Sequence, residues 1–341
     1  MKTLSFLFVV MLLFMPESLT LRGSYDKSLE DRFREFVSAF NKSYVDDVYE
    51  YGIRKEIFLQ SLIRHDKLNR EEKELGGSAR YGVNQFSDLT PEEFKDFLKR
   101  GYAKEPEMTS LVSLPSDVKC DIPGYKKLPS FWDWNKKGKV TKIKNQGKCG
   151  GCWAFTATEL VETQWAIAGH ELEELSVQEF ISCSRKDGCK GGNTCQALSW
   201  LRDIDVALLP ASEYPYVDES TPCKTSVLKK QGVHITRPCC LNSTTDELKQ
   251  MKPIVALIGP MAVNVDATMW HDYIDGIIQH HCTDTEINHA VQITGYDATG
   301  EVPYWIVRNS WGTNFGVNGY LYIAMNKNLC GLNNSPTFVI V

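Results

Sequence analysis

The sequence has no long apolar run and no large excess of either charge. None of its apolar stretches reaches the roughly 18 residues that a membrane-spanning helix requires. Its 38 basic and 43 acidic residues give a net charge of −5, which argues against a nucleic-acid-binding surface and against a polybasic membrane patch. Internal repeats and low-complexity tracts are absent as well. Because 43% of the 341 residues are hydrophobic, we expect a large core divided among two or three domain-sized units.

The N-terminus has the pattern of a secretory signal peptide. Lys2 precedes the apolar run Leu4–Met15, and Pro16 with small or polar residues follows through Thr20. A membrane anchor is the alternative, but the run is too short to span a bilayer. We therefore predict that residues 1–22 are removed and that a soluble protein enters an oxidising compartment.

The chain contains eleven cysteines. Disulfides are expected in a secreted protein, and an odd number leaves at least one thiol unpaired within the chain. That thiol is either a partly paired or intermolecular cysteine, or a reactive group that is kept for chemistry.

The chain divides into two regions that differ in composition and in hydrophobic pattern. From about residue 25 to residue 100 it is charged and helical, with Phe33, Phe36 and Phe40 at helical spacing. Tyr81 to Asp88 reads as a short extended segment. Thr90 then caps a further helix, with Pro91 at its first position. Residues 101–127 form a loose connector without periodicity.

The second region, from about Leu128, begins with helices and ends with strands. We predict a helix from Cys152 to Ile167, stopped by Gly169, and a second helix that begins after Ser176. Alternating apolar residues then predict strands at Val255–Ile258, Met261–Val265, Ala290–Tyr296, Tyr304–Arg308 and Tyr320–Ile323. The pattern predicts an α+β fold.

Residues 146–155 carry the strongest chemical signal. Cys152 lies at the predicted N-terminus of a helix, where the helix dipole favours a thiolate, and the glycines before it permit close approach of a substrate. Gln146 is close enough in sequence to direct its amide toward the same reacting carbon. Cys149 and Cys152 also form a C-x-x-C pair, which is typical of a redox motif or half of a zinc site. No βαβ unit and no second ligand pair accompany it.

His289 and Asn309 complete a possible catalytic set. A cysteine nucleophile needs a base and a residue that orients the base. His289 begins one predicted strand and Asn309 follows another, so both lie where the edge of a cleft is expected.

With these residues the chain resembles the papain family of cysteine peptidases over nearly its whole length. The resemblance implies that Cys152 is the nucleophile, His289 the base, Asn309 its orienting partner and Gln146 an oxyanion-hole donor. It implies that Trp311 shields the His–Asn pair, and that Gly191, Gly192 and Asn193 lie in a loop that lines the non-prime side of the substrate cleft. This chain departs from the family pattern at two positions: it has Gly151 where the family has Ser or Ala, and Asn288 where papain has Asp. Because Asn288 carries no charge, the electrostatic field at His289 would be weaker.

The implied architecture is a two-lobed α+β fold with a helical left lobe, a β-barrel-like right lobe and a helical N-terminal inhibitory propeptide. A short propeptide motif is complete, with Gly82, Asn84, Phe86 and Asp88. A longer helical motif is kept in part, and its two departures are Ser61 and His65; the residues that fit are Glu50, Arg54, Phe58 and Asn69. Alignment on Cys152 places the propeptide at 23–127 and the peptidase domain at 128–341.

The resemblance also implies partners and location. It implies polypeptide substrates, inhibition by the chain's own propeptide and by cystatin-type proteins, a monomer, no metal and no organic cofactor, and a lysosomal or secreted protein. The tripeptides that begin at Asn41 and Asn242 match the glycosylation signal.

Three disulfides follow from the resemblance: Cys149–Cys189, Cys183–Cys223 and Cys282–Cys330. Four cysteines are left without an assigned partner. Cys239 and Cys240 are adjacent and do not bridge each other without strain, so one of them is a candidate partner for Cys195. Cys120 is expected to leave with the propeptide.

The pocket for the second residue before the scissile bond is also implied. Ser335 at its base is not acidic, which favours a modest apolar or mixed side chain over a basic one. The residues expected to line it are Asn193, Thr194, Asn264, Ile287, Ala290 and Ser335.

Three other functions remain open. The chain could be a papain-like protein that binds peptides without cleaving them, or an inhibitor that uses its propeptide against other peptidases. A redox or zinc protein built on Cys149 and Cys152 is the third.

Overall fold

The computed structural model describes residues 29–99, 120–122, 124–228, 231–241 and 246–341. The predicted signal peptide and Asn242 lie outside the described residues. None of the described helices is long and apolar enough to cross a membrane.

Residues 29–99, called here the N-terminal region, are mainly helical. Helix α1 covers residues 29–39, α2 is Val48–Glu74, and α3 is Pro91–Lys99. The α3 start is the predicted capping box, because the Thr90 hydroxyl accepts from the Glu93 N–H and the Glu93 carboxylate accepts from the Thr90 N–H. Aromatic side chains of α1 and α2 form a small separate core, with Phe33, Phe36 and Phe58 at its centre.

The helical lobe is built around α4 (Cys152–Ile167), at the predicted bounds. It is buried on nearly every side, because it lies between the other helices of this lobe and strands of the sheet. Helix α5 (Val177–Glu179) begins with the Ser176 hydroxyl accepting from the Glu179 N–H and continues into a π-helical turn, and α6 (Thr194–Asp203) packs against α4.

The strand-rich lobe contains an eight-stranded sheet in the order β3-β10-β4-β7-β8-β9-β6, with β2 paired to β7. All pairs are antiparallel except β6 with β9. The ladder runs from β3 to β6 without returning, so the described strands form an open sheet and not a closed barrel. The strands are β2 (Phe131–Asp133), β3 (Arg237–Cys240), β4 (Met261–Val265), β6 (Ile277–Ile278), β7 (His289–Asp297), β8 (Tyr304–Arg308), β9 (Tyr320–Ala324) and β10 (Asn334–Ile340).

A second, two-stranded sheet joins the N-terminal region to this lobe. Strand β1 (Arg80–Tyr81) pairs antiparallel with β5 (Tyr273–Asp275). The predicted extended segment 81–88 is therefore only partly extended, since residues 85–88 form a turn.

One predicted strand is wrong. Val255–Ile258 overlaps helix α7 (Lys252–Leu257), which follows a π-helical turn and has Pro253 in its first turn. A short run of buried apolar residues does not distinguish a strand from a buried helix, and the proline at a helix start was the better signal.

Five disulfides join ten of the eleven cysteines. Three are Cys149–Cys189, Cys183–Cys223 and Cys282–Cys330, the pairs that the resemblance implies. The others are Cys195–Cys240 and Cys120–Cys239. The expectation that Cys120 simply leaves with the propeptide does not account for its bond to Cys239.

Candidate active site

Cys152 is the first residue of α4 and is fully buried. Gly151 at the N-cap supplies no side-chain cap, so the positive end of the helix is directed at the thiol. Burial raises the pKa of the Cys152 thiol to about 12, and backbone N–H groups, that of Ala290 first, oppose the shift. Cys152 takes part in none of the five disulfides.

His289 and Asn309 meet because they lie at neighbouring strand ends. His289 begins β7, Asn309 follows the last residue of β8, and these two strands are paired. His289 Nε2 lies 2.8 Å from Asn309 Oδ1. An amide oxygen only accepts, so Nε2 carries the proton and Nδ1 is left as the basic nitrogen. Burial lowers the pKa of His289 to about 4, and the bond to Asn309 opposes this.

The Cys152 thiol lies close to the histidine in the chain fold. The Ala290 N–H is hydrogen-bonded to the Cys152 sulfur, and Ala290 is the residue that follows His289 in β7. The three side chains that the sequence predicts as catalytic are thus brought to one point, between α4 and the strand-rich lobe.

Aromatic rings shield the imidazole. The Trp311 indole stacks on His289 with ring centroids 4.7 Å apart, and Trp270 contacts the same ring edge-on. Both indoles are buried, so they keep water from the His289–Asn309 hydrogen bond.

Gln146 is buried next to this pair and is held by the residue after Asn309. Its Nε2 donates to the Cys149 carbonyl at 3.1 Å, and its Oε1 accepts from the Ser310 hydroxyl at 2.7 Å. Ser310 was inside the motif that identified Asn309, but its own contribution was not predicted.

Two further residues that the sequence did not single out hold the loop that leads to Cys152. The Tyr216 hydroxyl donates to the Gln146 carbonyl at 2.6 Å. The Asp218 carboxylate accepts from the N–H groups of Lys148 and Cys149 at 2.9 and 3.0 Å. Asp218 lies in a turn far away in sequence, where no local pattern marks it.

Cys149 is bonded to Cys189, so it does not form a redox pair with Cys152. Among the described residues, no group of three or more His, Cys, Asp or Glu side chains is arranged to hold a metal ion.

The glycines near the nucleophile lie where side chains would collide. A Cβ on Gly151 would come within 3.0 Å of Ile181 Cδ1 and 3.3 Å of Cys149 Sγ, and a Cβ on Gly192 would overlap the Trp153 indole. Gly191 has a positive φ of 95°, which favours glycine. Gly151 therefore leaves room for the large side chain of its neighbour Ile181, which a Ser or Ala at this position would crowd.

A cavity of about 580 Å³ adjoins Asn193, at the end of the loop that contains Gly191 and Gly192. Four of the six expected pocket residues line it: Asn193, Thr194, Asn264 and Ser335. Ile287 and Ala290 are not in its wall. The cavity extends past the expected residues to apolar groups and a disulfide, namely Trp200, Ile204, Leu241 and Cys195–Cys240. Asp203 also lines it, and the Asp203 carboxylate is paired with Arg202.

Asn288, the second departure, faces a neighbouring turn. It accepts from the Ala267 N–H at 2.9 Å and donates to the Thr268 hydroxyl at 3.0 Å. Its side chain therefore holds the backbone before Trp270 in place.

The N-terminal region docks beside these residues. Gln85 donates to the Trp311 carbonyl at 2.9 Å, and the Phe86 and Phe94 rings meet the Trp311 indole edge-on. Asn84 donates to the His271 carbonyl at 2.8 Å. The motif residues thus form the contact with the lobe that carries His289.

The two departures in the helical motif contribute to the same contact. His65 Nε2 lies 2.9 Å from Asp272 Oδ1, and Arg64, whose guanidinium also reaches the Ser61 hydroxyl, makes a bidentate contact with the same carboxylate. Asp272 belongs to the strand-rich lobe.

Comparison with protein families and with known proteins gives a consistent result. Residues 128–340 match the papain family cysteine protease model, and residues 33–94 match the cathepsin propeptide inhibitor domain. Human cathepsin O is 43% identical over 286 residues, which covers 83% of this chain and 87% of that protein; mouse cathepsin O is 42% identical over 284 residues, which covers 83% and 88%. The sequences around Gly151, 276–282 and 303–309 also favour cathepsin O over cathepsins L, F and B.

Solved structures of precursors share the fold. Procathepsin L 3 from the midgut of Tenebrio molitor larvae superimposes with a TM-score of 0.78 at 27% identity, covering 92% of this chain and 99% of that one. Recombinant stem bromelain precursor gives a TM-score of 0.77 at 28% identity, covering 92% and 99%. These likenesses confirm the α+β papain-like fold. The chain belongs to the papain family of cysteine proteases and is a protease precursor with an inhibitory propeptide domain.

Proposed function

We propose that the chain is an endopeptidase precursor in which Cys152, His289 and Asn309 hydrolyse peptide bonds. The observation that carries this is the hydrogen bond of 2.8 Å between His289 Nε2 and Asn309 Oδ1, because it leaves Nδ1 as the base for a thiol at a helix N-terminus. The filled catalytic set favours an enzyme over a protein that only binds peptides.

The mechanism is acyl transfer through a thioester. In the open cleft His289 takes the Cys152 proton, and the resulting thiolate attacks the peptide carbonyl. The Gln146 amide and the Cys152 N–H hold the oxyanion; loss of one such donor typically costs roughly 10²–10³ in rate. The imidazolium protonates the leaving amine, and the imidazole then activates the water that releases the acyl group.

Burial favours the neutral forms of these two groups in the precursor. It raises the pKa of Cys152 and lowers that of His289. Exposure of the cleft to water removes the main cause of both shifts and allows the thiolate–imidazolium pair to form.

The remaining expectations belong to this proposal. Residues 1–22 are the signal peptide, 23–127 the propeptide and 128–341 the peptidase domain. The processed protein acts as a monomer in lysosomal protein degradation or after secretion, without metal or cofactor, and cystatin-type proteins inhibit it.

The cavity beside Asn193 and Ser335 is assigned to the second residue before the scissile bond. Its extension toward Trp200 and Ile204 supports an apolar side chain there. A peptide library should be cut at least about ten-fold better with Leu or Phe at this position than with Arg, because the apolar part of the wall would desolvate the guanidinium and the Asp203 carboxylate is already paired with Arg202. Preference for Arg would contradict the assignment.

Replacement of the nucleophile tests the catalytic proposal. Cys152→Ala should abolish both peptidase activity and labelling by a thiol-directed epoxide, while thermal unfolding stays cooperative. Because the other ten cysteines are in disulfides, the wild-type enzyme should bind one label per chain by intact mass. Normal turnover in Cys152→Ala would reject the proposal.

A further inference from the structure

The Cys120–Cys239 disulfide joins the two parts of the precursor that maturation is meant to separate. Cys120 lies before the family match that begins at residue 128, and Cys239 lies in β3, inside that match. Their Cα atoms are 5.7 Å apart, in the ordinary range for a disulfide. The bond is therefore a covalent link between the connector and the peptidase domain.

The described part of the connector also packs against the domain to which it is bonded. Cys120 and Ile122 are partly buried against the core of the strand-rich lobe, and Cys239 is 1% exposed. Burial of one sulfur limits attack by an external thiol, since exchange requires access to the disulfide.

Hydrolysis of the backbone does not break this link. A cut near residue 128 adds one water to one peptide bond and leaves the sulfur–sulfur bond intact. Cys120 is then on the propeptide side of the cut but still bonded to Cys239. The inhibitory domain, matched at residues 33–94, remains tethered to the enzyme.

A tethered inhibitor is difficult to remove. Linkage makes rebinding intramolecular, with an effective concentration of order millimolar for a short linker, so dilution does not release it. A second cut, on the N-terminal side of Cys120, would separate the inhibitory domain and leave the bonded peptide behind.

The number of cysteines supports retention of that peptide. With Cys120 in place, every cysteine except Cys152 has a disulfide partner. Loss of Cys120 would leave a buried thiol at Cys239, in a protein that otherwise keeps one thiol for chemistry.

We propose that the mature protease is a two-chain molecule, in which a connector peptide that contains Cys120 stays bonded to Cys239, and that release of the inhibitory domain requires a cut on the N-terminal side of Cys120. This rests on the proposed processing near residue 128.

Intact mass with and without reduction tests the proposal on the wild-type protein. The purified precursor is incubated at acid pH until it is active. The intact mass of the product is then measured before and after reduction. We expect reduction to release one peptide that contains Cys120, and the large chain to lose that mass. If reduction adds only hydrogens to a single large chain that begins near residue 128, the proposal is wrong.

A double variant, Cys120→Ser with Cys239→Ser, is the matched control. It removes the link without leaving a lone thiol and alters no residue that we assign to catalysis. After the cut near residue 128 its propeptide should dissociate on dilution, whereas the wild-type propeptide should remain bound until the second cut. Equal release from both proteins would contradict the tether. If the variant does not fold, the wild-type mass measurement still decides.

The Cys152→Ala precursor separates this proposal from the catalytic one. Tryptic digestion of that precursor without reduction should yield a linked species that contains Cys120 and Cys239, whether or not the wild-type chain is a peptidase. If the link is present but the wild-type precursor is inert, the catalytic proposal fails. If the wild-type is active and the link is absent, the tether fails.

Discussion

At the scale of single residues, Gly151 shows how a departure from a family motif is matched elsewhere. The position before the nucleophile has φ of −94°, which any residue can adopt, so backbone conformation does not require glycine. The space that a Cβ would need is filled by Ile181 Cδ1, at 3.0 Å. Gly151 and Ile181 therefore act as a size-matched pair.

This pairing predicts non-additive effects on stability. Gly151→Ala should lower the free energy of unfolding by about 1 kcal/mol through crowding, and Ile181→Val by about 1 kcal/mol through lost packing. Together they should cost clearly less than the sum, because the removed methyl makes room for the added one. Urea denaturation of the four proteins measures this. Additive losses would show that the two side chains do not compete for space.

Ser310 predicts a loss of rate without a loss of binding. Ser310→Ala removes the hydrogen bond that holds Gln146 Oε1, so the amide should be less well aligned for the oxyanion. We expect kcat to fall about ten-fold, which corresponds to a hydrogen bond of about 1.4 kcal/mol, with KM nearly unchanged.

Two variants show whether Ser310 acts through Gln146. In a Gln146→Ala background, Ser310→Ala should have little further effect on kcat. Ser184→Ala, which removes a hydroxyl bonded to a helix carbonyl, controls for general destabilisation. A full additional ten-fold loss in the Gln146→Ala background would assign Ser310 a different role.

At the scale of elements, the docking of the N-terminal region depends on charge. The contact is made by β1 on β5, by α2 through Arg64 and His65, and by α3 through Phe94, which stacks on His271 at 4.4 Å. The Arg64 guanidinium and His65 hold the pKa of Asp272 far below its usual range despite burial, so Asp272 stays ionised in mild acid.

His271 has the opposite response to acid. Burial lowers its pKa below 6.5, since Asp272 only partly opposes the effects of burial, Arg64 and His65. Its Nε2 donates to the Phe86 carbonyl at 2.9 Å, and Nδ1 lies 3.4 Å from the Arg64 guanidinium, so protonation would place two cations together. A base with a lowered pKa contributes stability above its free pKa, and this contribution is lost as the pH falls below that value.

Docking should therefore weaken between pH 7 and pH 5. In the Cys152→Ala precursor, amide hydrogen exchange in α2 and α3, corrected for intrinsic rates, should speed up over this range. His271→Gln, which keeps a donor for Phe86 but does not titrate, should reduce the change. An unaltered pH dependence in this variant would remove His271 from the acid response.

The success of sequence prediction for these elements follows from what each pattern encodes. Helix α4 and the α3 cap were predicted at the observed positions because local capping and periodicity determine them. Strand β3 was missed because it contains Pro238, which is tolerated there at the end of the sheet. Helix α7 was mistaken for a strand because its run of buried residues is too short to show a period.

Only part of the candidate active site could be predicted from the sequence. Cys152, His289 and Asn309 were proposed from local motifs in the required order, and the structure brings them together. Asp218, Tyr216 and the role of Ser310 depend on contacts between distant segments, as does the partner of Cys120. No local pattern contains that information.

At the scale of the whole molecule, two buried carboxyl groups contribute more stability in acid than at neutral pH. Burial raises the pKa of Glu159 to about 7, with Arg308 and Lys144 opposing, and it raises that of Glu179 to about 7. The Arg308 guanidinium lies 3.3 Å from Glu159, which links α4 to β8. A carboxyl with a raised pKa contributes stability below its unfolded pKa, and that contribution is lost as the pH rises through the folded pKa.

The contribution of these two carboxyls to stability should consequently fall between pH 5 and pH 8, against the opposite contribution of the buried His289 and His271 imidazoles. Glu179→Gln keeps an acceptor for the Leu209 N–H, which the carboxylate now accepts at 3.0 Å, and it carries no charge. The variant should match the wild type at pH 5 and unfold at a higher temperature at pH 8. Parallel melting curves at both pH values would show that Glu179 does not titrate in this range.

The neighbouring bonds of Cys239 and Cys240 have a consequence for assembly. Successive side chains of a strand point to opposite faces, and here one sulfur reaches the connector while the next reaches α6. Exchange of the two partners would require β3 to present its other face, a slip of one residue against β10, where Cys239 now pairs with Phe338. The pairing of Cys120 with Cys239 and of Cys195 with Cys240 thus depends on the register of β3 against β10. Molecules with the two partners exchanged would be ones in which β3 paired out of register.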